Sequence, residues 1–535
     1  MDGARTFVVA QGHPRASDRN PGTADRPWRT ISRAAGRGVL RPGDTVRVHA
    51  GTYRETVEPR EGGRRGARVA FVAAKGERVV VSGAEPAPDW APAATGLWRR
   101  PWTGGALPIY ADDHDERRVF RREMVIARGE PLREAPSREA IAPGQFWAEG
   151  PPEAPTALLA RFPDGATPEA ARAEVAVRAY LFKPLGPDPY APCGDPETPG
   201  YFHLRGIAFR YATNRAQWGA VCAGSEGSLV EDVRVEWTNG QGIDGSGRDH
   251  AFLRTAADHN GQMGWGAACT GCLWRDTQAV GNNWKGYSPF WEAGGGKWVR
   301  TTDTVIRRHL AKDNGGPGIW LDIDNADNTI EASRAEGNAV AGIMLELRTV
   351  RTLVQHNTVT GTRWEEWSGS GILSQAASEN VLLHNTVTGS EGTGIWLRLD
   401  PLRRARDGGT WVVANRLAGN ARGDGSGAVE AREIASEGTD ARHVRTHRFR
   451  HNALWPLAAP DPGMRSAFFV HPTPGGDYRG SDLGLWRRYV DDEGSRLTRG
   501  ALGVRPLALP AAGAPRAPAR WAETAGAHAA AVGLE

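Results

Sequence analysis

The chain has 535 residues, with 68 glycines, 20 tryptophans and a formal net charge of +4 at pH 7. Acidic and basic residues are interspersed without a basic stripe, which speaks against nucleic acid as a partner. No apolar run is long enough to cross a bilayer, so no membrane partner is expected. Four cysteines in this length predict no disulfide framework. Cys269 and Cys272 have the spacing of half a zinc site but no second pair nearby, and two buried thiols at a turn are predicted.

The N-terminal sequence combines turn signals with a short helical pattern. Residues 1–10 lack a basic start, a long apolar run and a cleavage site. We therefore expect a cytoplasmic protein, or a secreted one whose signal peptide has been removed. Turn-rich residues 16–23 lead to a short predicted helix at 27–35, and residues 42–53 are typical of a strand between turns. A helix at this point would cap the open end of a stack of strands, where edges are otherwise unpaired.

Composition divides the chain into four predicted parts. Residues 1–83 are predicted to hold the N-terminal cap and the first coils, where a coil is one turn of a stack of short strands. Residues 84–183 are rich in proline, alanine and charge and lose the repeat, which predicts an inserted β-rich subdomain. Residues 184–460 are predicted to form the main β-helix with the active-site groove. Residues 461–535 are predicted to be a C-terminal extension that ends in a proline- and alanine-rich tail.

From about residue 200 the sequence repeats, mostly at intervals of about 21 to 25 residues. Each repeat has a short apolar strand, a polar turn and a second strand that begins with Gly-Ile or Gly-Trp. Because the apolar period is two, helical repeats are excluded and an all-β parallel β-helix is predicted. Asn357, Asn385 and Asn415 occupy the same place in three successive repeats. We expect their side chains to hydrogen-bond along the stack, which is a structural role.

The strings GIWLDIDN from Gly318 and GIMLELR from Gly342 are the most informative repeats. If one repeat is one coil, Asp322 and Glu346 lie on the same outer face, one strand spacing or about 5 Å apart. A retaining glycosidase requires two carboxylates at about that separation. Asp322 is the predicted nucleophile, and the longer Glu346 is the predicted acid/base. Asp324 is the reserve nucleophile, because a strand register inferred from sequence slips easily.

Further polar and aromatic residues are expected on the same outer face. The neighbouring repeats predict a column of mixed charge, which is more than a solvated face requires. Tryptophans are typical platforms for sugar rings, although about half of them are expected to pack between loops. The predicted substrate-binding residues are Trp291, Glu292, Lys297, Trp298, Trp320, Arg348, Trp364, Trp367, Gln375, Trp396 and Arg398.

A calcium-dependent reaction is the main alternative. Asp322, Asp324 and Asp327 form an oxygen-rich cluster of the kind that Ca²⁺ selects, although an EF-hand loop is not present. With calcium on a uronate carboxylate, a basic side chain could abstract a proton, as in a polysaccharide lyase or a C5-epimerase. The candidate bases are Lys297, Arg348 and Arg398. Apart from this possible calcium, no cofactor is predicted. A non-catalytic carbohydrate-binding solenoid is a second alternative.

Several motifs resemble the right-handed parallel β-helix proteins of the pectate-lyase-like superfamily. They are SDRNPGT at 17–23, PWRTISRAA at 27–35, PGDTVRVHAGTYRE at 42–55 and the later coils. The resemblance implies a right-handed solenoid of bacterial type. The site layout is similar to that of the β-xylosidases built on this fold, which implies an Asp nucleophile and a Glu acid/base at Asp322 and Glu346. The leading hypothesis is a retaining glycoside hydrolase, monomeric or homo-oligomeric, with a polysaccharide or oligosaccharide substrate.

Overall fold

A computed structural model describes residues 3–104, 110–112, 115–152, 154–398, 409–423, 429–431, 433–437, 446–455, 468–473, 476–480 and 482–497. Its regular structure is almost entirely β, and most strands pair in parallel with the equivalent strand of the next coil. The chain divides into two compact units. Unit 1 comprises Met1–Gly247, Thr255–Gly266 and Asn283–Glu292. Unit 2 comprises Arg248–Arg254, Ala267–Asn282 and Ala293–Glu535.

Each complete coil contributes one strand to each of three parallel sheets, here named sheets A, B and C. One residue in the left-handed region ends each sheet A strand of the later coils, for example Arg308 (φ 51°), Ala332 (φ 49°) and His356 (φ 55°). This single residue turns the chain into sheet B, so that the following side chain points into the coil. Side chains of equivalent residues therefore stack between coils, which explains the repeat seen in the sequence.

Unit 1 contains early coils of all three sheets. Its sheet A strands are Thr6–Val9, Thr45–Val48, Val69–Ala73, Phe202–Arg205 and Leu229–Glu231. Its sheet B strands are Gly51–Tyr53, Val79–Ser82, Ile207–Arg210, Arg234–Glu236 and Ala256–Asp258. Its sheet C strands are Gly219–Cys222, Gln241–Asp244 and Met263–Ala267, and the short strand Gly247–Arg248 follows the second of these.

Between residues 84 and 176 of unit 1, mostly antiparallel strands interrupt the parallel stacking. Phe146, Leu158, Phe162 and Val175 belong to a separate hydrophobic core in this segment. The strands are Ala84–Pro86, Ala91–Ala94, Leu97–Pro101, Tyr110–Asp112, Asp115–Phe120, Val125–Ala127, Glu130–Pro131, Arg133–Glu134, Gln145–Glu149, Ala157–Arg161 and Glu174–Ala176, with a 3-10 turn at Pro163–Gly165.

Unit 2 contains the regular coils that follow. Its sheet A strands are Ala251–Leu253, Leu273–Arg275, Val305–Arg307, Thr329–Glu331, Leu353–Gln355, Val381–Leu383, Trp411–Val413, Arg448–Arg450 and Asp491–Glu493. Its sheet B strands are Gln278–Val280, Leu310–Lys312, Arg334–Glu336, Thr358–Thr360, Thr386–Thr388, Arg416–Ala418, Ala453–Trp455 and Arg496–Leu497. Its sheet C strands are Gly294–Val299, Ile319–Asp322, Val340–Glu346, Gly369–Gln375, Ile395–Arg398, Ile434–Glu437 and Phe468–Thr473, with Gly476–Gly480 antiparallel at the end. The remaining elements are Cys269–Thr270, the hairpin Ala421–Gly423 with Val429–Ala431, and the helix Leu483–Tyr489.

The asparagine stack predicted from the sequence is confirmed. The Nδ2 group of Asn357 donates to Oδ1 of Asn385 at 3.0 Å, and Asn385 donates in the same way to Asn415 at 3.0 Å. Asn415 continues the stack to Asn452 at 3.1 Å. All four side chains are buried, because they follow the left-handed corner and point into the coil. We call these four residues the Asn ladder.

Two local predictions need correction. The N-terminal helix spans only Ser32–Ala35, because Trp28 forms a parallel bridge with Val9. The cysteines form two disulfides, Cys193–Cys222 and Cys269–Cys272, so the prediction of free thiols is wrong. The spacing could not reveal the first bond, because folding brings together residues 29 apart in the sequence. The predicted tail lies mostly beyond residue 497, outside the described residues.

Within the described ranges, no helix is both long and apolar enough to cross a bilayer.

Candidate functional site

The outer face of sheet C in unit 2 carries two columns of side chains. Leu321 pairs with Leu345 on the next coil, so Asp322 and Glu346 follow on adjacent rungs. The last residues of successive strands form the strand-end column, which consists of Asp322, Glu346, Gln375, Arg398 and Glu437. Two residues earlier in each strand lies the apolar column, which consists of Trp320, Met344, Leu373 and Trp396.

Asp322 is held by a buried ion pair. The Lys297 Nζ atom lies 2.8 Å from Asp322 Oδ2, and the two side chains are 8% and 4% exposed. The same ammonium group lies 4.2 Å from the ring centroid of Trp320, within the range of a cation–π contact. The other carboxylate oxygen, Oδ1, is buried and receives no hydrogen bond within the described part of the chain. Asp322 therefore has one oxygen paired with Lys297 and one buried oxygen, Oδ1, to which no hydrogen bond is donated from the described residues.

Glu346 accepts hydrogen bonds at both carboxylate oxygens. Trp320 Nε1 donates to Oε2 at 3.1 Å, and Gln375 Nε2 donates to Oε1 at 3.0 Å. Arg398 Nη1 in turn donates to Gln375 Oε1 at 3.1 Å, which fixes the orientation of the Gln375 amide. Glu346 and Gln375 are each 6% exposed, so this chain of contacts is buried.

A side chain three residues later donates a hydrogen bond to the backbone carbonyl of each acid and fixes the backbone there. Asn325 Nδ2 donates to the carbonyl of Asp322 at 2.7 Å, and Thr349 Oγ1 donates to the carbonyl of Glu346 at 2.6 Å. Each strand ends at its acid, and the following residues adopt left-handed angles, for example Ile323 (φ 57°). The two acids thus occupy the same position in equivalent strand ends, which orients both side chains outward.

The strand end removes Asp324 from the outer face, which corrects the predicted alternation. Asp324 (φ 58°) and Arg348 (φ 64°) lie in the turns and form an exposed bidentate ion pair with distances of 2.5 and 2.8 Å. The hydrogen bonds from Arg348 hold the pKa of the Asp324 carboxyl below its usual value, and the same bonds raise the pKa of Arg348. Neither residue extends the strand-end column.

The acids proposed as calcium ligands do not converge. Asp322 pairs with Lys297, Asp324 with Arg348, and Asp327 with Arg351 at 2.7 Å. Across the described ranges, no group of three or more His, Cys, Asp or Glu side chains is placed to share a metal ion.

The tryptophans differ from the expected row of open platforms. Trp298 is fully buried and makes edge contacts with Trp274 and His309, so its predicted place on the outer face is wrong. Trp320 and Trp396 do lie on the outer face, but they are only 4% and 7% exposed. They form a hydrophobic cluster with Met344 and Leu373, against which Trp367 packs.

The other predicted tryptophans and Glu292 are not members of this cluster. The backbone N–H of Trp364 donates to Glu391, at the start of the loop that carries Trp367. Trp291 and Glu292 belong to unit 1, where Trp291 is buried against Tyr287 at a ring distance of 6.1 Å. Glu292 has φ 117°.

Three residues that shape the site, Met344, Leu373 and Thr349, had no role predicted from the sequence, and Asn325 was predicted only as part of the calcium cluster. Met344 and Leu373 cover the outer face because they alternate outward, and their period-two position was a usable signal. Asn325 and Thr349 each follow an acid by three residues, and this equal offset was the available sign of a shared strand end.

With this geometry described, the chain can be compared with known proteins. A family model described as a right handed beta helix region matches residues 218–401. The solved structure of XylC in complex with xylose has 17% identity, covers 88% of this chain and 86% of its own, and gives a TM-score of 0.66. The chain has the fold of a right-handed parallel β-helix.

Two more comparisons are partial or remote. Pectate lyase Pel9A gives 13% identity, coverage of 92% of this chain and 80% of its own, and a TM-score of 0.36. The uncharacterized protein YwoF of Bacillus subtilis (strain 168) is 37% identical over 70 residues. That match spans 13% of this β-helix protein and 14% of YwoF. The reaction of the β-helix therefore has to be argued from the site itself.

Proposed function

We propose that this β-helix is a retaining glycoside hydrolase that acts on an oligosaccharide or polysaccharide, with Asp322 as nucleophile and Glu346 as acid/base. The observation that carries the proposal is the position of both acids at equivalent strand ends of adjacent coils. Strands in a sheet lie about 4.8 Å apart. That spacing is close to the separation of about 5–5.5 Å between the carboxyl groups of retaining enzymes.

The contacts of each acid suit its proposed role. Asp322 Oδ1 attacks the anomeric carbon while Lys297 holds Oδ2 in place. The glycosidic C–O bond breaks, its electron pair goes to the leaving oxygen, and Glu346 gives that oxygen a proton. Water then attacks the anomeric carbon of the glycosyl ester, Glu346 accepts a proton from the water, and Asp322 leaves as a carboxylate.

A sugar substrate and an oxidising compartment have independent support. The structural neighbour with a TM-score of 0.66 was solved with xylose, which supports a saccharide ligand for the shared fold. The two disulfides support a secreted or periplasmic location over the cytoplasm, because cytosolic thiols are usually kept reduced.

The lyase and epimerase alternatives have weaker support. Lys297 is paired with Asp322 and Arg348 with Asp324, so two of the three candidate bases are engaged by carboxylates. The third, Arg398, donates a hydrogen bond to Gln375. A purely binding role has weaker support too, because it gives no reason for two buried acids of different length on adjacent rungs.

The test is a screen of aryl glycosides and polysaccharides, followed by Asp322→Ala on the substrate found. We expect the variant to lose hydrolysis and to regain turnover with azide, which would yield a glycosyl azide of inverted configuration. Azide fills the space of the missing carboxylate and attacks the same carbon.

Asp324→Ala is the matched control, since this acid lies two residues away on the exposed turn. Its turnover is expected to equal that of the parent protein. Full activity of Asp322→Ala on a confirmed substrate would contradict the proposal. An unsaturated, ultraviolet-absorbing product from a uronate polymer would favour the lyase instead.

A further inference from the structure

Gln375 links Glu346 to a cation farther along the strand-end column. Its amide nitrogen donates to Glu346 Oε1, and its amide oxygen accepts from Arg398 Nη1. A guanidinium group has no acceptor, so the Arg398 contact requires the amide oxygen on its side and turns the amide nitrogen toward Glu346. Arg398 itself lies over Trp396, with Cζ 5.6 Å from the ring centroid. The orientation of Gln375 is therefore fixed from outside the proposed catalytic pair.

This arrangement acts on the charge of Glu346. A carboxylate that accepts N–H donors is favoured in its ionised form, and Glu346 accepts one donor from Gln375 and one from Trp320. The charged groups that the register and the contacts place near this position include Asp322 on the preceding rung, Lys297 beside Trp320, and Arg398 two rungs beyond. Burial and the charge of Asp322 favour a proton on Glu346, whereas the two hydrogen bonds and the two cations favour its negative charge.

We propose that Gln375, oriented by Arg398, is a positioning residue that holds Glu346 ionised in the resting site and confines its action as an acid to acidic pH. The catalytic part of this statement rests on the proposed function. The contact chain does not, because it can be measured without a substrate. The role differs from that of a structural glutamine, which would affect stability and leave the titration of Glu346 unchanged.

The experiment follows Trp320 Nε1, which donates directly to Glu346, in the full chain labelled with ¹⁵N at the tryptophan indoles. The Trp320 resonance is assigned by its loss in Trp320→Phe and is followed from pH 4 to 9. In Gln375→Met the N–H donor is lost at nearly equal volume, and we expect the titration midpoint to rise by about one pH unit or more. Arg398→Met, at a half-buried position, is expected to raise the midpoint by a smaller amount.

Gln355→Met is the matched control. Gln355 Nε2 donates to Glu331 Oε2 at 2.8 Å, which makes the same kind of glutamine–glutamate pair between adjacent coils, but on sheet A. Its loss is expected to leave the Trp320 midpoint unchanged. An unchanged or lower midpoint in Gln375→Met would overturn the proposal. Should Gln375→Met fail to fold, an unchanged midpoint in Arg398→Met would overturn it as well.

Kinetics separate this proposal from the proposed function. On a substrate that the protein hydrolyses, Gln375→Met should move the basic limb of the kcat–pH profile to higher pH, because Glu346 then stays protonated up to a higher pH. An unshifted basic limb would overturn the positioning role, while hydrolysis itself would still support the glycosidase. If no sugar tested is hydrolysed, the midpoint of the Trp320 indole titration still tests the role of Gln375. Only the assignment as a glycosidase then fails.

Discussion

Two polar columns run along the coils of unit 2, one inside and one outside. The Asn ladder inside repeats one residue type from coil to coil, and each amide binds the next. The strand-end column outside changes at every rung, from Asp322 to Glu346, Gln375, Arg398 and Glu437. The two columns use the same register, so geometry alone does not distinguish them.

The two columns differ in their buried charge and in which buried polar atoms have hydrogen-bond partners. An asparagine in the ladder satisfies its neighbours with neutral groups, which is sufficient for stability. The strand-end column contains buried charges and one buried carboxylate oxygen without a hydrogen bond, Asp322 Oδ1. Burying a charge costs stability unless the charge is paired and hydrogen-bonded, and even a buried ion pair adds little stability over apolar packing. In a repeat protein, the column that fails to repeat is therefore the better candidate for function.

The largest expected effect is on kcat and distinguishes Asp322 from Asp324, the two acids of the sequence DID. Asp322→Asn should lower kcat on a confirmed substrate by about 10⁴-fold or more, because an amide cannot form the glycosyl ester. Asp324→Asn removes only an exposed ion pair and should change kcat by less than about threefold. Steady-state kinetics on both variants check the contrast. Equal losses would mean that the turn, and not the strand end, carries the chemistry.

The next effect compares two ion pairs, one on each side of the strand end. Lys297→Met leaves Asp322 as an uncompensated buried charge and should lower the free energy of unfolding by about 3–5 kcal/mol. Arg348→Met breaks a pair whose side chains are about half exposed, and should cost less than about 1 kcal/mol. Denaturant unfolding of both variants at pH 7 makes the comparison. A small loss for Lys297→Met would show that solvent reaches Asp322.

The third effect concerns a charge inside the coils. Glu433 is fully buried and accepts from Asn420, and burial raises the pKa of Glu433 to about 8. The unfolded chain releases this proton near its ordinary pKa, so this group contributes stability below that value and the contribution declines as pH rises toward 8. Glu433→Gln should remove the decline and raise the free energy of unfolding by about 2–3 kcal/mol near pH 7.

The pH dependence of unfolding identifies this effect. The gain for Glu433→Gln should vanish near pH 4, where the parent side chain is protonated in both states. Glu365→Gln, at an exposed loop position, should show no such pH dependence. A gain that persists unchanged at pH 4 would point to packing instead of charge.

The fold followed from the sequence more completely than the site did. Period-two alternation and a repeat near 24 residues predicted the β-helix, because each coil has the same pattern of short strands and turns. The same alternation was extended too far at Asp324, since the turn at Ile323 (φ 57°) ends the strand. The inward position of Trp298 was equally hidden, because a single tryptophan suits either face.

Contacts between distant parts of the chain were beyond local patterns. The register places Lys297 opposite Trp320 and Val299 opposite Asp322. The Lys297–Asp322 ion pair and the bond from Trp320 to Glu346 therefore both depend on side-chain reach between coils. The Cys193–Cys222 disulfide joins segments with no shared repeat. Such contacts are set by the folded register and leave no periodic trace.

The smallest expected effect tests the inner column as a purely structural device. Asn385→Ala removes the donor to Asn415 and to the carbonyl of Val354, and the acceptor of Asn357. Leaving these buried groups unpaired should lower the free energy of unfolding by about 2 kcal/mol. Thr358→Ala, at the exposed first residue of a sheet B strand, should cost under about 0.5 kcal/mol. Unfolding curves measure the cost, and kcat on a confirmed substrate should stay unchanged in both variants. A selective loss of kcat in Asn385→Ala would mean that the inner and outer columns are coupled, and that repetition alone does not mark a residue as structural.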